Sequence, residues 1–171
     1  MHGHGAPHAL NSDAVGAVDL AAHADDERLR VVDADVADEL FAVMGGETVG
    51  GIVHLAAQVS VVRSLERPLT DLRTNARGLV QVLELARRQP EPPKVVFASS
   101  AAVYGDVSEA PTSEDAATAP MSPYGINKFA GEHWLRMYSE VLGVPTSPLR
   151  FFNVYGPRQD PGSAYSGVIS I

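Results

Sequence analysis

Apolar residues along this chain alternate between short β-branched runs and longer stretches at helical spacing. Leu29, Arg30, Val31 and Val32 predict a short strand, followed by a helix near Val36–Met44. Val49–Ala56 is almost continuously apolar and predicts a strand buried on both faces. Pro68 opens a helix to about Arg88, with Leu72, Leu79, Val82, Leu83 and Ala86 at helical spacing and Pro90 beyond its end. Lys94–Ala98 predicts another buried strand. Ser122 and Pro123 start a helix to about Leu142, and Thr146–Phe152 predicts a last strand. From Asn153 to Ile171 the residues are mostly Gly, Pro, Ser and Tyr, which predicts loop. Strands alternating with long helices imply right-handed βαβ units and hence an α/β fold with a parallel sheet. Residues 1–28 carry no sustained period and are expected to form a flexible head unrelated to the rest. Four of its histidines, His2, His4, His8 and His23, have no fixed geometry for a metal.

Composition narrows the function classes. The chain has 171 residues, enough for one domain. Thirteen basic against 21 acidic residues give a net charge of −8, which argues against tracking nucleic-acid phosphates. No uninterrupted apolar stretch reaches the ~18 residues of a membrane span, and the first residues lack the pattern of a secretory signal. The absence of cysteine excludes disulfides, zinc–thiolate sites and a thiol nucleophile, and it fits a reducing compartment. A cytoplasmic protein is the expectation.

The candidate chemistry centres on Tyr124 and Lys128. Four residues apart on the predicted helix, their side chains share a face about one turn apart. A free tyrosine, with a pKa of about 10, is a poor base at neutral pH; an ammonium beside it favours the phenolate. Ser100 ends the Lys94–Ala98 run, at the carboxyl end of a parallel strand, where ligands bind in open α/β sheets. Tyrosine, lysine and serine together can run acid–base chemistry on an alcohol or ketone. A Tyr-x-x-x-Lys pair alone also occurs on solvated helix faces. Here it belongs to an ordered set: Ser99 and Ser100; Val103, Tyr104 and Gly105; Ser122 to Gly125; and Phe151 to Pro161.

With these motifs the chain resembles the extended short-chain dehydrogenase/reductase family of NAD-dependent epimerases and dehydratases, and within it the UDP-glucose 4-epimerase group. The resemblance runs from about Leu29 to Ile171 and implies a partial Rossmann-like, doubly wound parallel sheet over residues 29–171, with NAD as cofactor and a UDP-sugar as substrate. It implies catalytic roles for Ser100, Tyr124 and Lys128. Asp35 and Val36 match the segment that contacts the adenine, and Leu55, Ala56 and Ala57 match the strand end that lines the cofactor. Asn75 matches the helix asparagine that orders the site, Phe152 a residue near the nicotinamide, and Asn153 a residue on the nucleotide-sugar diphosphate. Each also has a plain structural reading. Asp35 fits a helix N-cap, Leu55–Ala57 core packing, and Asn153 a turn. His54 fits a buried, hydrogen-bonded histidine.

Two departures bear on the reaction. Dehydratases of the family place an Asp–Glu pair just after the strand-end Ser or Thr, where this chain has Ala101 and Ala102. Epimerisation needs no such acid, so a 4-epimerase passing through a 4-keto sugar is favoured over a 4,6-dehydratase or a reductase. The glycine-rich turn that lets a backbone approach a pyrophosphate is not found. A silent remnant that binds only nucleotide or a partner chain is therefore the third reading. The resemblance also implies a homodimer through the helices near 68–88 and 123–142.

Overall fold

The computed structural model describes Glu27 and residues 32–44, 46–107 and 110–156. Three strands, β1 (Gly51–His54), β2 (Lys94–Ser100) and β3 (Thr146–Phe151), form a parallel sheet in the order β1-β2-β3. Gly51 pairs with Lys94 and His54 with Phe97, while Val95 pairs with Thr146 and Ser100 with Phe151. The carboxyl ends of the strands therefore lie together along one edge of the sheet.

Helices follow in chain order: α1 (Leu40–Val43), α2 (Val61–Glu66), α3 (Pro68–Asp71), α4 (Gly78–Arg87) and α5 (Pro123–Leu142), with a π-helical segment at Leu72–Arg77 between α3 and α4. All of them fall within one compact unit, Ala34–Val154. The core forms where Leu79, Val82, Leu83 and Ala86 of α4 meet Val95 and Phe97 of β2 and Leu135 and Tyr138 of α5. Each such fully buried large side chain is worth about 1.5–3 kcal/mol. Burial alternates along β2: Val95, Phe97 and Ser99 are covered, while Val96, Ala98 and Ser100 are half-buried.

The longest helix is set by local chemistry. Ser122 caps α5 by accepting from the Gly125 N–H (3.0 Å), and Pro123 fills its first turn, where no N–H is needed. Gly143, with φ +71°, ends it in the left-handed conformation that glycine adopts at least cost.

Several expectations need correction. β1 is shorter than Val49–Ala56 and is not buried on both faces: Val53 is 66% exposed. Among the described residues β1 pairs only with β2. The helix near Val36–Met44 shrinks to α1, because the Asp35 carboxylate instead accepts from the Ala37 N–H (2.8 Å) and holds a turn there. The Pro68–Arg88 helix contains the π segment, whose wider turn swings Leu72 half into solvent while Leu79 stays buried. The last strand stops at Phe151. α2, capped by Ser60, has no counterpart in the sequence reading. The expected strand at Leu29–Val32 and the residue 1–28 head lie almost wholly outside the described residues, as does the loop beyond 156.

Candidate active site

Ser100 ends β2, and the chain turns at once into a short 3-10 helix, Ala101–Val103. The Ser100 hydroxyl accepts from the Ala102 N–H (3.2 Å), which leaves its own proton as a donor. The N-terminus of α5 lies against this turn. A Cβ on Gly125 would sit 2.7 Å from the Ala102 carbonyl oxygen, an approach only glycine permits. That contact brings Tyr124, on the first turn of α5, beside the Ser100 turn.

One turn further along α5, the Lys128 ammonium donates to the Ala98 carbonyl (2.7 Å). It lies 4.7 Å from the Phe97 ring centre and 5.8 Å from that of Tyr124. Burial pushes the Lys128 pKa down to about 8, while the negative charge of Asp71 works the other way. Tyr124, Lys128 and Ser100 thus occupy one end of the sheet, on the elements the sequence assigned to them.

Asn75 is buried in the π segment and fully engaged. Its amide nitrogen donates to the Gln58 carbonyl (2.9 Å) and to Asp71 Oδ2 (3.0 Å), and its oxygen accepts from the Gln58 N–H (3.0 Å). Asp71, 0% exposed, also accepts from Gln58 Nε2 (2.7 Å) and, at Oδ1, from Asn127 Nδ2 (2.7 Å). π segments gather at functional sites, and this one carries the buried polar layer directly behind the Tyr–Lys pair.

A second network supports the same strand end. Ser99 Oγ donates to Glu132 Oε1 (2.6 Å), and Arg150 holds both Glu132 oxygens, at 2.9 and 2.7 Å. Burial raises the Glu132 pKa, but the hydrogen bonds from Arg150 and Ser99 outweigh it and hold the carboxyl below its ordinary range. Arg150 also donates to the Tyr104 hydroxyl (2.9 Å). One ion pair thereby ties β3 to α5 and, through Ser99, to β2.

The remaining residues sit around this centre. Leu55 and Ala56 are exposed just past the end of β1, and Ala57 is half-buried. Phe152 and Asn153 are exposed beyond β3, with the Phe152 ring 6.2 Å from that of Tyr104. Asp35 pairs with Arg73 (2.6 Å) next to the half-buried Val36, and the Ala37 N–H and Arg73 hold its carboxyl below the ordinary range. His54 is buried against Phe97, but its Nε2 has no hydrogen-bond partner among the described residues, contrary to the expected bonded histidine. Burial, aided by the Lys128 charge, pushes its pKa down to about 4, so it is neutral at pH 7. Gln58, Asp71, Asn127, Glu132 and Arg150 were not singled out from the sequence. The available signals were Asp71 four residues before Asn75 and Glu132 four after Lys128, each at one-turn spacing.

Sheet, strand-end serine and the Tyr–Lys helix together define a Rossmann-like α/β protein of the short-chain dehydrogenase/reductase type. The family model for GDP-mannose 4,6 dehydratase matches residues 4–169. The chain is 40% identical over 142 residues to a putative UDP-glucose 4-epimerase of Methanocaldococcus jannaschii, covering 82% of this chain and 46% of that one. A UDP-N-acetylglucosamine 4-epimerase from Methanobrevibacter ruminantium, solved with UDP-N-acetylmuramic acid, superposes with a TM-score of 0.74 at 33% identity, over 85% of this chain and 46% of that one. The Thermus thermophilus UDP-glucose 4-epimerase, solved with NAD, gives 0.71 at 37% identity, over 77% and 43%. The chain belongs to this family of NAD-dependent epimerases and dehydratases. It spans less than half the length of these relatives.

Proposed function

We propose that this chain is the cofactor-side part, residues 29–171, of a cytoplasmic UDP-sugar 4-epimerase. The observation that carries the reading is the docking of Tyr124 and Lys128 against the Ser100 turn, with alanine at both positions where a dehydratase keeps its acids. The Glu132 carboxylate is committed to Arg150 and Ser99, so it does not replace them.

The donor set fits NAD at the nicotinamide end. An exposed apolar shelf of Leu55 and Ala56 stands beside an ammonium, a phenol and a hydroxyl at the carboxyl ends of parallel strands. Leu55, Ala56, Ala57, Asn75, Tyr124, Lys128 and Phe152 would hold that half, and Asp35 and Val36 the adenine. When bound, NAD supplies hydride acceptance and return at the sugar C4. The charged Lys128 keeps Tyr124 able to take the proton of the 4-hydroxyl and give it back. Ser100 donates to the same oxygen, and Asn153 meets the diphosphate.

A homodimer through 68–88 and 123–142 belongs to this reading. Ile126, Phe129, Ala130, Trp134 and Met137, with His133 among them, line a largely apolar groove of about 390 Å³ along α5. Leu69 and Leu72, on the neighbouring helix, are also exposed. Among the described residues, no helix is long and apolar enough to cross a membrane.

The test is NAD carried by the purified chain, read by mass spectrometry after denaturation, together with interconversion of UDP-glucose and UDP-galactose. Tyr124→Phe is expected to lower turnover by about 10²–10⁴-fold with NAD retained. A chain that takes up no NAD at high concentration contradicts the reading and favours the silent alternative. Turnover of dTDP-glucose by dehydration would move the reaction to the dehydratase branch.

A further inference from the structure

Two opposite charges, the Lys128 ammonium and the Asp71 carboxylate behind it, are buried here, and among the described residues neither has an ion-pair partner in direct contact. The Asp71 carboxylate, 0% exposed, meets only the amide nitrogens of Gln58, Asn75 and Asn127. None of the ion pairs among the described residues includes it. Every neighbour presents a donor, the arrangement an anion requires. The Lys128 ammonium, on a residue 3% exposed, meets a carbonyl and two aromatic rings. An isolated buried charge is costly unless another compensates it. Asn127, adjacent to Lys128 in the chain and bonded to Asp71, links the two.

We propose that Asp71 is the buried counter-charge that keeps the Lys128 ammonium cationic and in place beside Tyr124. Asp71 is then a positioning residue, acting on the proton chemistry through Lys128; that role rests on the epimerase reading above. Three titratable groups face Lys128. Asp71 approaches from α3 and favours its charge. His54, at the end of β1, is neutral and adds none at pH 7. Tyr124, on α5, places its ring centre 5.8 Å from the ammonium. From β2 only the Phe97 ring and the Ala98 carbonyl reach it. Asp71 is thus the one group whose negative charge offsets the burial of the ammonium.

The chain has two lysines, Lys94 and Lys128, so protein labelled with 13Cε-lysine gives one resonance for each. In the unmodified chain the Lys128 signal, identified by its loss in Lys128→Met, is expected to titrate at about 8. Asp71→Asn should lower that midpoint by about one unit. A merely structural role predicts the opposite: a loosened site hydrates Lys128 and raises its midpoint. Either that rise or an unchanged midpoint overturns the proposal. Should Asp71→Asn fail to fold, the second arm compares it with the Lys128→Met, Asp71→Asn double variant. Recovery of a cooperative urea transition is expected when both charges are gone, and a double variant no more stable than Asp71→Asn overturns the proposal. Neither readout involves cofactor or turnover. Failure of the UDP-sugar assay and failure of this titration therefore report on separate claims.

Discussion

At the scale of single residues, His54 shows what the sheet demands of a titratable group. It sits at the end of β1, stacked on Phe97 with 5.9 Å between ring centres, and has no partner for Nε2 among the described residues. Burial holds its folded pKa at about 4, against 6.5 when exposed on unfolding. Between those values the unfolded chain binds more protons than the folded one. The contribution is fully present above pH 6.5 and is lost as the pH falls toward 4. The shift corresponds to about 3 kcal/mol across that window. Urea midpoints should decline through this range, and His54→Leu should flatten the decline. An unaltered slope in the variant would assign the acid sensitivity to other groups.

The same scale shows how far the site could be read from the chain. Tyr124 and Lys128 were legible because a single helix carries both, and helical spacing alone places them on one face. Ser100 was legible because it closely follows the apolar run Val95–Ala98. Gln58 and Asp71 were not. Their meeting depends on how a loop returns over the start of a helix, and local pattern does not encode that return. Asp35 had two readings. Its side chain does hold a turn, but it also pairs with Arg73, 38 residues away.

At the scale of elements, the close approach of α5 to the Ala101–Val103 turn decides whether serine and tyrosine can share a substrate oxygen. Gly125→Ala places a methyl group against the Ala102 carbonyl oxygen, a backbone atom that cannot swing aside. The expected cost is about 1–3 kcal/mol in urea unfolding, with a larger proportional loss of epimerisation, because the helix end moves with Tyr124 on it. A variant with unaltered stability and rate would show that the two elements can separate freely. Strands and long helices were readable here because periods of two and 3.6 survive in the sequence. The π segment was not, because Leu72–Arg77 contains no residue hostile to an ordinary α-helix. Its Asn75 bonds back to Asp71, one turn earlier, and across to Gln58, 17 residues away, a long-range contact that local pattern does not encode.

At the scale of the whole molecule, α5 serves two surfaces. One face packs Leu135 and Tyr138 into the core, the opposite face presents Ile126, 52% exposed, and Trp134, 40% exposed, lies on the flank with its ring 6.4 Å from that of Tyr138. Pairing of two chains over that groove would cover it. Trp134→Glu places a charge on its lining and should convert a dimer to a monomer in sedimentation velocity, while the thermal transition stays cooperative. A monomeric unsubstituted chain at all concentrations would remove this part of the reading. The sequence pattern predicted these helices and the family resemblance implied their pairing, yet neither could tell which of their faces meets the sheet, since apolar residues occur on both.

The widened turn between α3 and α4 makes that rod behave as two screws cut on different threads. Leu79, Val82, Leu83 and Ala86 obey the hydrophobic layer, whereas Asp71 and Asn75 obey the polar one, and the slack of one surplus residue keeps them in phase. Trimming a residue from that slack would rotate one set by about 100° against the other. Grafts or idealised redesigns of this helix therefore have to copy its irregularity along with its side chains.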